Sequence, residues 1–208
     1  MTKKSVDIMS KLLIIRNKIY DYFQNSGKCQ TYFYSDDKLF SAYYTAMYLL
    51  ADTAESLIAH RASGFSENFC AAYIEFLGVM QAIIVQQDSI MELYKAITGQ
   101  ELNRPDKWKE IRNLRNIYSG HPVNKTDPLR RSFLSRQDIS YRRLICETWT
   151  YKNGASIMES IQHPEVLLGE LLDAYTREAT IITADIFIEM KKKWPNNKLR
   201  NKKPVNRT

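Results

Sequence analysis

From Phe69 to Ile97 the chain returns to an apolar side chain at alternating steps of four and three: Phe69, Tyr73, Phe76, Met80, Ile83, Gln87, Ile90, Tyr94 and Ile97, with Gln87 the one polar member. That spacing draws one stripe along a helix and cannot be laid on one face of a strand. With Ser66 read as its cap, the spacing predicts a long helix ending near Thr98-Gly99. The segment before it carries Phe40, Tyr43, Met47, Leu50, Ala54, Leu57 and Ile58, opens at Ser35-Asp36-Asp37 and closes near Ser63-Gly64. Two long helices with a short linker must lie back to back, so an antiparallel helical hairpin is the expected centre of the fold.

Shorter patterns flank it. Ile8, Leu12, Ile15, Ile19 and Tyr22 mark a first helix that stops at Asn25-Ser26-Gly27, with a loop after it. A fourth helix opens at Pro105-Asp106 and ends near Ser119-Gly120. Proline tolerates the first turn, and an aspartate suits the positive end of the helix dipole. Beyond His121-Pro122 the helical period is lost. Residues 139–151 are rich in β-branched and aromatic side chains, and Asn153-Gly154 is a hairpin dipeptide, which predicts a small β-hairpin of about 139–151 with 155–161. Pro164 then opens a last helix with Leu168, Leu171, Leu172, Tyr175, Ala179, Ile182 and Ile186. The expected fold is all-α: a bundle of about five helices in one domain, residues 1–190, with a β-hairpin insert before the last helix. The rings of Tyr43, Tyr44, Tyr73 and Tyr94 fall on helical seams and read as core rather than as platforms for bases.

Composition narrows the function classes. An apolar fraction of 44% and a charged fraction of 25% suit a soluble globular chain. The net charge of +7 suggests nucleic acid until its position is seen. Eight of the 30 basic residues stand at or after Lys191, and no acid follows Glu189, so the body keeps 22 bases against 23 acids. The basicity belongs to a tail, 191–208, expected to be disordered and able to add salt-sensitive phosphate affinity. Cys29, Cys70 and Cys146 are odd in number, far apart and free of CxxC spacing, which points to reduced thiols and a cytoplasmic setting. No segment reads as a signal peptide or as long enough to span a bilayer. His60 and His163 have no acidic or cysteine neighbour at ligand spacing, so no metal and no cofactor is expected. No Gly-rich phosphate loop, GxSxG or HExxH is present.

One segment carries candidate chemistry: Ile111-Arg112-Asn113-Leu114-Arg115-Asn116-Ile117-Tyr118-Ser119-Gly120-His121-Pro122. On a helical wheel Trp108, Ile111, Leu114, Ile117 and Tyr118 form an apolar arc, and Arg115 falls at its edge. A guanidinium there must snorkel, pair with an acid or meet a ligand. His121 stands where Gly120 and Pro122 break the helix, so its ring can swing back toward Arg115. Imidazole titrates near neutrality while guanidinium stays charged, so the pair can combine proton transfer with anion stabilisation.

This segment resembles the HEPN motif, an Arg, four to six residues, then a His, often with a polar residue directly after the Arg. Arg115, Asn116 and His121 fill those places, and the helix order over roughly 38–190, with Gln86-Gln87-Asp88 on the preceding helix, is similar to that family. The resemblance implies a homodimer whose two motifs meet in one cleft and cleave single-stranded RNA without metal, leaving a 2′,3′-cyclic phosphate and a 5′-hydroxyl. By that likeness His121 is the general acid or base, Arg115 holds the scissile phosphate, and Asn116 orients the His or a phosphate. Arg112, Gln87 and Asp88 are candidate substrate contacts, although Gln87 also reads as a register-fixing core amide and Asp88 as an ion-pair partner. Val123 stands where many toxin members carry a Tyr two places after the His, so modification by a nucleotidyltransferase antitoxin is not implied; an antitoxin or regulatory partner is left unidentified. The competing reading is a HEPN-like nucleotide-binding or protein-interaction module without catalysis.

Overall fold

The computed structural model describes residues 3–120, 123–124, 129–152 and 157–195. The fold is a helical bundle with a β insert before the final helix. Helices α1 (Lys3–Asn25), α2 (Gly27–Tyr34), α3 (Asp37–Ser63), α4 (Phe69–Thr98), α5 (Asp106–Arg115) and α6 (Leu168–Lys193) make up the body. As the seam spacing predicts, α3 and α4 form a long antiparallel hairpin; α1 and α6 pack together, and each also meets the hairpin. The core runs through Leu12, Tyr43, Leu50, Phe76, Ile83, Trp108, Tyr175 and Ile186, all 2% exposed or less.

Local chemistry sets the boundaries. The Asp36 carboxylate accepts from the amides of Lys38 and Leu39 at 2.8 and 3.3 Å and starts α3. Gly64 and Gly99 close α3 and α4 with φ of 80° and 76°, a region an L side chain resists. The cap of α4 is Asn68 rather than Ser66: its Oδ1 accepts from Cys70 and Ala71, while Ser66 spends its own amide on Glu75. The expected loop after α1 is helix α2. Ser26 both ends α1 and caps α2 through its hydroxyl, and Cys29 and Phe33, one turn apart, are fully buried.

Three further expectations are corrected. Tyr44 is 46% exposed; it joins Tyr34, Phe40 and Tyr48 in a row of touching rings along the outside of α3. Its neighbour Tyr43 takes the core position, because successive helical residues point about 100° apart. The last helix begins at Leu168, not at Pro164, since 165–166 form a strand. And α4 contains an 18-residue stretch of mean hydropathy 1.6, long and apolar enough to cross a membrane by length and composition. Its packing against α3, α5 and α6, and its buried Gln86 and Gln87, give it the place of a central bundle helix.

The β insert is larger than a hairpin. Strands β1 (Val123–Asn124), β2 (Leu129–Leu134), β3 (Leu144–Lys152) and β4 (Ile157–Gln162) lie in that order, all antiparallel, and β5 (Glu165–Val166) continues the β4 edge along Leu144 and Ile145. The expected pairing of the two central strands is present as β3 with β4, but 139–143 lie outside any strand. His163-Pro164 interrupts the edge, where a proline costs no ladder bond. One sheet face turns inward: Ser132, Leu134 and Cys146 are buried. The other carries Arg131, Phe133, Trp149, Tyr151, Met158 and Ile161. At the far end Trp194, just past α6, packs on Tyr32 and Phe33, and its carbonyl accepts from the Tyr22 hydroxyl at 2.6 Å. The folded body therefore reaches into the basic segment; residues 196–208 lie outside the described residues.

Candidate active site

Helix α5 is held by its apolar arc. Trp108 and Ile111 are fully buried, Leu114 and Tyr118 are 7% exposed, and Trp108 meets Tyr175 of α6 edge to face at 5.6 Å. At Asn116 the α-helix widens into a π turn that runs to Gly120. Such turns shift one backbone hydrogen bond outward and recur at functional sites. Tyr118 anchors the turn to the sheet through hydrogen bonds with Thr148 and Cys146; burial raises its pKa.

The two arginines of the segment differ in their partners. Arg112 is fully engaged: Nε donates to Gln87 Oε1 at 2.8 Å, and Nη2 pairs with the Asp88 carboxylate. Gln87 is itself buried, and its amide nitrogen donates to the Trp108 carbonyl at 3.5 Å. Arg112, Gln87 and Asp88 are therefore brought together, and they join α4 to α5. Arg115 is half-buried and makes only neutral contacts, from Nη1 to Asn116 Oδ1 at 3.2 Å and from Nη2 to Gln81 Oε1 at 3.3 Å. No carboxylate among the described residues pairs with it. Asn116 is exposed beside it. His121 and Pro122 lie outside the described residues.

Gln81 was not singled out from the sequence. It stands seven residues before Asp88, two turns along the same face of α4, so the stripe that carries Asp88 also carries a second amide toward α5. The adjacent Gln86 points the other way, accepting from the Tyr175 hydroxyl at 2.8 Å and donating to Thr53 Oγ1 at 3.3 Å.

The other titratable groups lie elsewhere. His60 Nδ1 stands 2.6 Å from the Tyr141 hydroxyl and Nε2 3.7 Å from Glu75; His163 pairs with Glu147 at 3.1 Å. These acids are distant in sequence, so local spacing does not reveal them. No group of three metal-ligating side chains occurs among the described residues. Cys29 and Cys146 are buried, with thiols pushed up to about 12 and about 11 by desolvation. Chemically, Arg115 offers a fixed positive charge at a widened helix end. Comparisons with protein-family models, with curated proteins and with solved structures find nothing that matches this chain.

Proposed function

We propose that the chain is a metal-independent endoribonuclease of HEPN type, acting on single-stranded RNA as a homodimer with Arg115 and His121 of both protomers in one cleft. The observation that carries the reading is the contrast between the arginines. Arg112 is neutralised by Asp88, whereas Arg115, one turn on, is held by two amide oxygens and keeps its charge for an anion. Two neutral acceptors fix the direction of a guanidinium without cancelling it, which suits a group that must meet a phosphate.

In the proposed reaction a base takes the proton of the ribose 2′-hydroxyl and the 2′-oxygen bonds to the adjacent phosphorus. The bond from phosphorus to the 5′-oxygen breaks, and an acid protonates the leaving oxygen. His121 takes the base role in one protomer and the acid role in the other, because one imidazole cannot hold both states at once; a two-fold dimer supplies the second. Arg115 offsets the charge that builds on the non-bridging oxygens, and Asn116 steadies the guanidinium through the 3.2 Å contact.

The test is cleavage of a short single-stranded RNA in excess EDTA, with the product ends identified. The wild type yields 2′,3′-cyclic phosphate, and Arg115→Ala or His121→Ala does not. Equal cleavage by the variants removes these residues from the reaction. Tight binding with no cleavage by the wild type leaves the non-catalytic module instead.

A further inference from the structure

We propose that the solvent-facing side of the β insert is a stacking platform that holds single-stranded RNA beside the Arg115 segment; the choice of RNA as ligand rests on the ribonuclease reading above. Side chains alternate across a strand, so the pairing register decides which residues share the outer face. Arg131, Trp149 and Ile161 form one row across β2, β3 and β4, Leu129, Tyr151 and Met158 the next, and Phe133 stands beside Glu147 in a third. This face is not core. Phe133 and Met158 are about half exposed and Ile161 is 41% exposed, while Ser132, Leu134 and Cys146 of the opposite face are buried. The Trp149 and Tyr151 rings are 6.5 Å apart with 22° between their planes, and the Arg131 guanidinium lies 5.6 Å from the Tyr151 centroid.

Charge selects the occupant. The centre of a protein interface is poor in lysine, glutamate and aspartate but takes arginine readily, so it is the unpaired state of a cation, not its presence, that bears on the occupant. Here a cation stands in the central row, and among the described residues no carboxylate pairs with Arg131. The acid within the aromatic rows, Glu147, is engaged by the Trp149 indole N–H and by His163. An exposed Phe133, the half-buried rings of Trp149 and Tyr151, and a guanidinium with no carboxylate partner among the described residues match a strand whose bases stack while its phosphates seek cations. The platform also has the right address. Val123, two residues past His121 in the chain, pairs with Arg131 in the sheet, so one strand spacing of roughly 5 Å separates the two backbones.

The experiment uses the full chain and a short 2′-O-methyl oligouridine, which lacks the attacking hydroxyl and reports binding alone. Trp108 and Trp194 are buried, so quenching of the wild-type tryptophan fluorescence reports on Trp149, while the affinities of all variants are read from the fluorescence anisotropy of an end-labelled oligonucleotide. The oligonucleotide is expected to quench the wild type. Trp149→Ala and Tyr151→Ala should each weaken binding about tenfold, Trp149→Phe should keep most of it, and Arg131→Gln should lower the salt slope by about one. Unchanged affinity in a folded Trp149→Ala/Tyr151→Ala double variant overturns the proposal, as does a wild type that binds no oligouridine at low salt. A change of oligomeric state without a change in RNA binding assigns the face to protein contact and overturns it too. Should the alanine variants not fold, Trp149→Phe and Arg131→Gln decide alone. Platform-dependent binding without cleavage of ordinary RNA would remove the nuclease reading and leave this one standing. Cleavage that needs Arg115 and His121 but ignores the sheet variants would remove this one only.

Discussion

Arg112 Nε donates to Gln87 Oε1 at 2.8 Å across the α4–α5 contact, and Gln87 has no exposed surface. Removing the donor strands a buried acceptor. Arg112→Ala is therefore expected to cost about 1–3 kcal/mol of folding free energy. Arg115→Ala, which gives up two contacts near 3.2 Å to neutral oxygens at a half-exposed site, should cost within about 0.5 kcal/mol. Urea unfolding of the two variants checks this ordering. The reverse would make Arg115 the structural arginine and undercut its role as an anion contact.

That division was only partly legible in the sequence. The wheel put Arg115 at the edge of the apolar arc and Arg112 one turn away, but a wheel shows one helix, and the partners of both lie on another. Whether Gln87 lines a cleft or fixes register depends on how α5 crosses α4, which periodicity does not encode. The long seams were legible because burial imposes a period on the residues themselves. Helix α2 was not, because eight residues are too few to display one and Ser26-Gly27 reads as a stop. The sheet was read as its central hairpin alone: β2 buries Ser132 and exposes Phe133, so its apolar residues do not mark its inner face, and β5 is two residues long and pairs only with β3.

Thiol reactivity should separate the three cysteines. Burial raises Cys29 to about 12 and Cys146 to about 11, whereas Cys70 is exposed near the start of α4. The thiolate is the reactive form, so both buried groups are protected by access and by protonation. At pH 8 a thiol reagent should modify one cysteine of the folded chain, mapped to Cys70, and all three in denaturant. Fast native labelling of Cys146 would contradict the packing of the sheet on the π turn.

The stability of the fold should fall in mild acid through His60. Burial lowers its pKa below the ordinary 6.5, with Glu75 pulling it partly back. Tyr141, raised to about 12, stays protonated, and its hydroxyl shares a hydrogen bond of 2.6 Å with Nδ1 of the neutral ring. The folded form thus takes up the proton less readily than the unfolded chain. Its contribution is whole above pH 6.5 and is lost as pH falls through the lower folded value. Denaturant midpoints measured between about pH 8 and 5 should decline, and His60→Gln should flatten the lower part of the curve. A midpoint that rises on acidification in the wild type, and not in His60→Gln, would mean that the Glu75 attraction outweighs burial.

Gly169 is where the insert is fastened to α6. Its amide donates to the Tyr141 carbonyl at 2.6 Å, and its own carbonyl accepts from Arg61 Nη2 at 3.3 Å. Arg61 also pairs with Asp173 at 3.0 Å and lies 4.2 Å from the Tyr141 ring centroid. A methyl group at position 169 would stand 2.8 Å from the Tyr141 carbonyl oxygen and 3.2 Å from the guanidinium. The oxygen is backbone and cannot swing aside, so the loop must move and the close amide contact must lengthen. Gly169→Ala gains a little helix propensity, up to about 1 kcal/mol, and loses more to the clash, so a net cost of about 1–2 kcal/mol is expected. The loss should be local at first: hydrogen exchange should quicken in 139–145 and in the first turn of α6 before the α3–α4 hairpin responds. Equal stability with unchanged exchange there would show that the insert is fastened elsewhere, and the sheet would then owe its place chiefly to Tyr118 on Thr148 and Cys146.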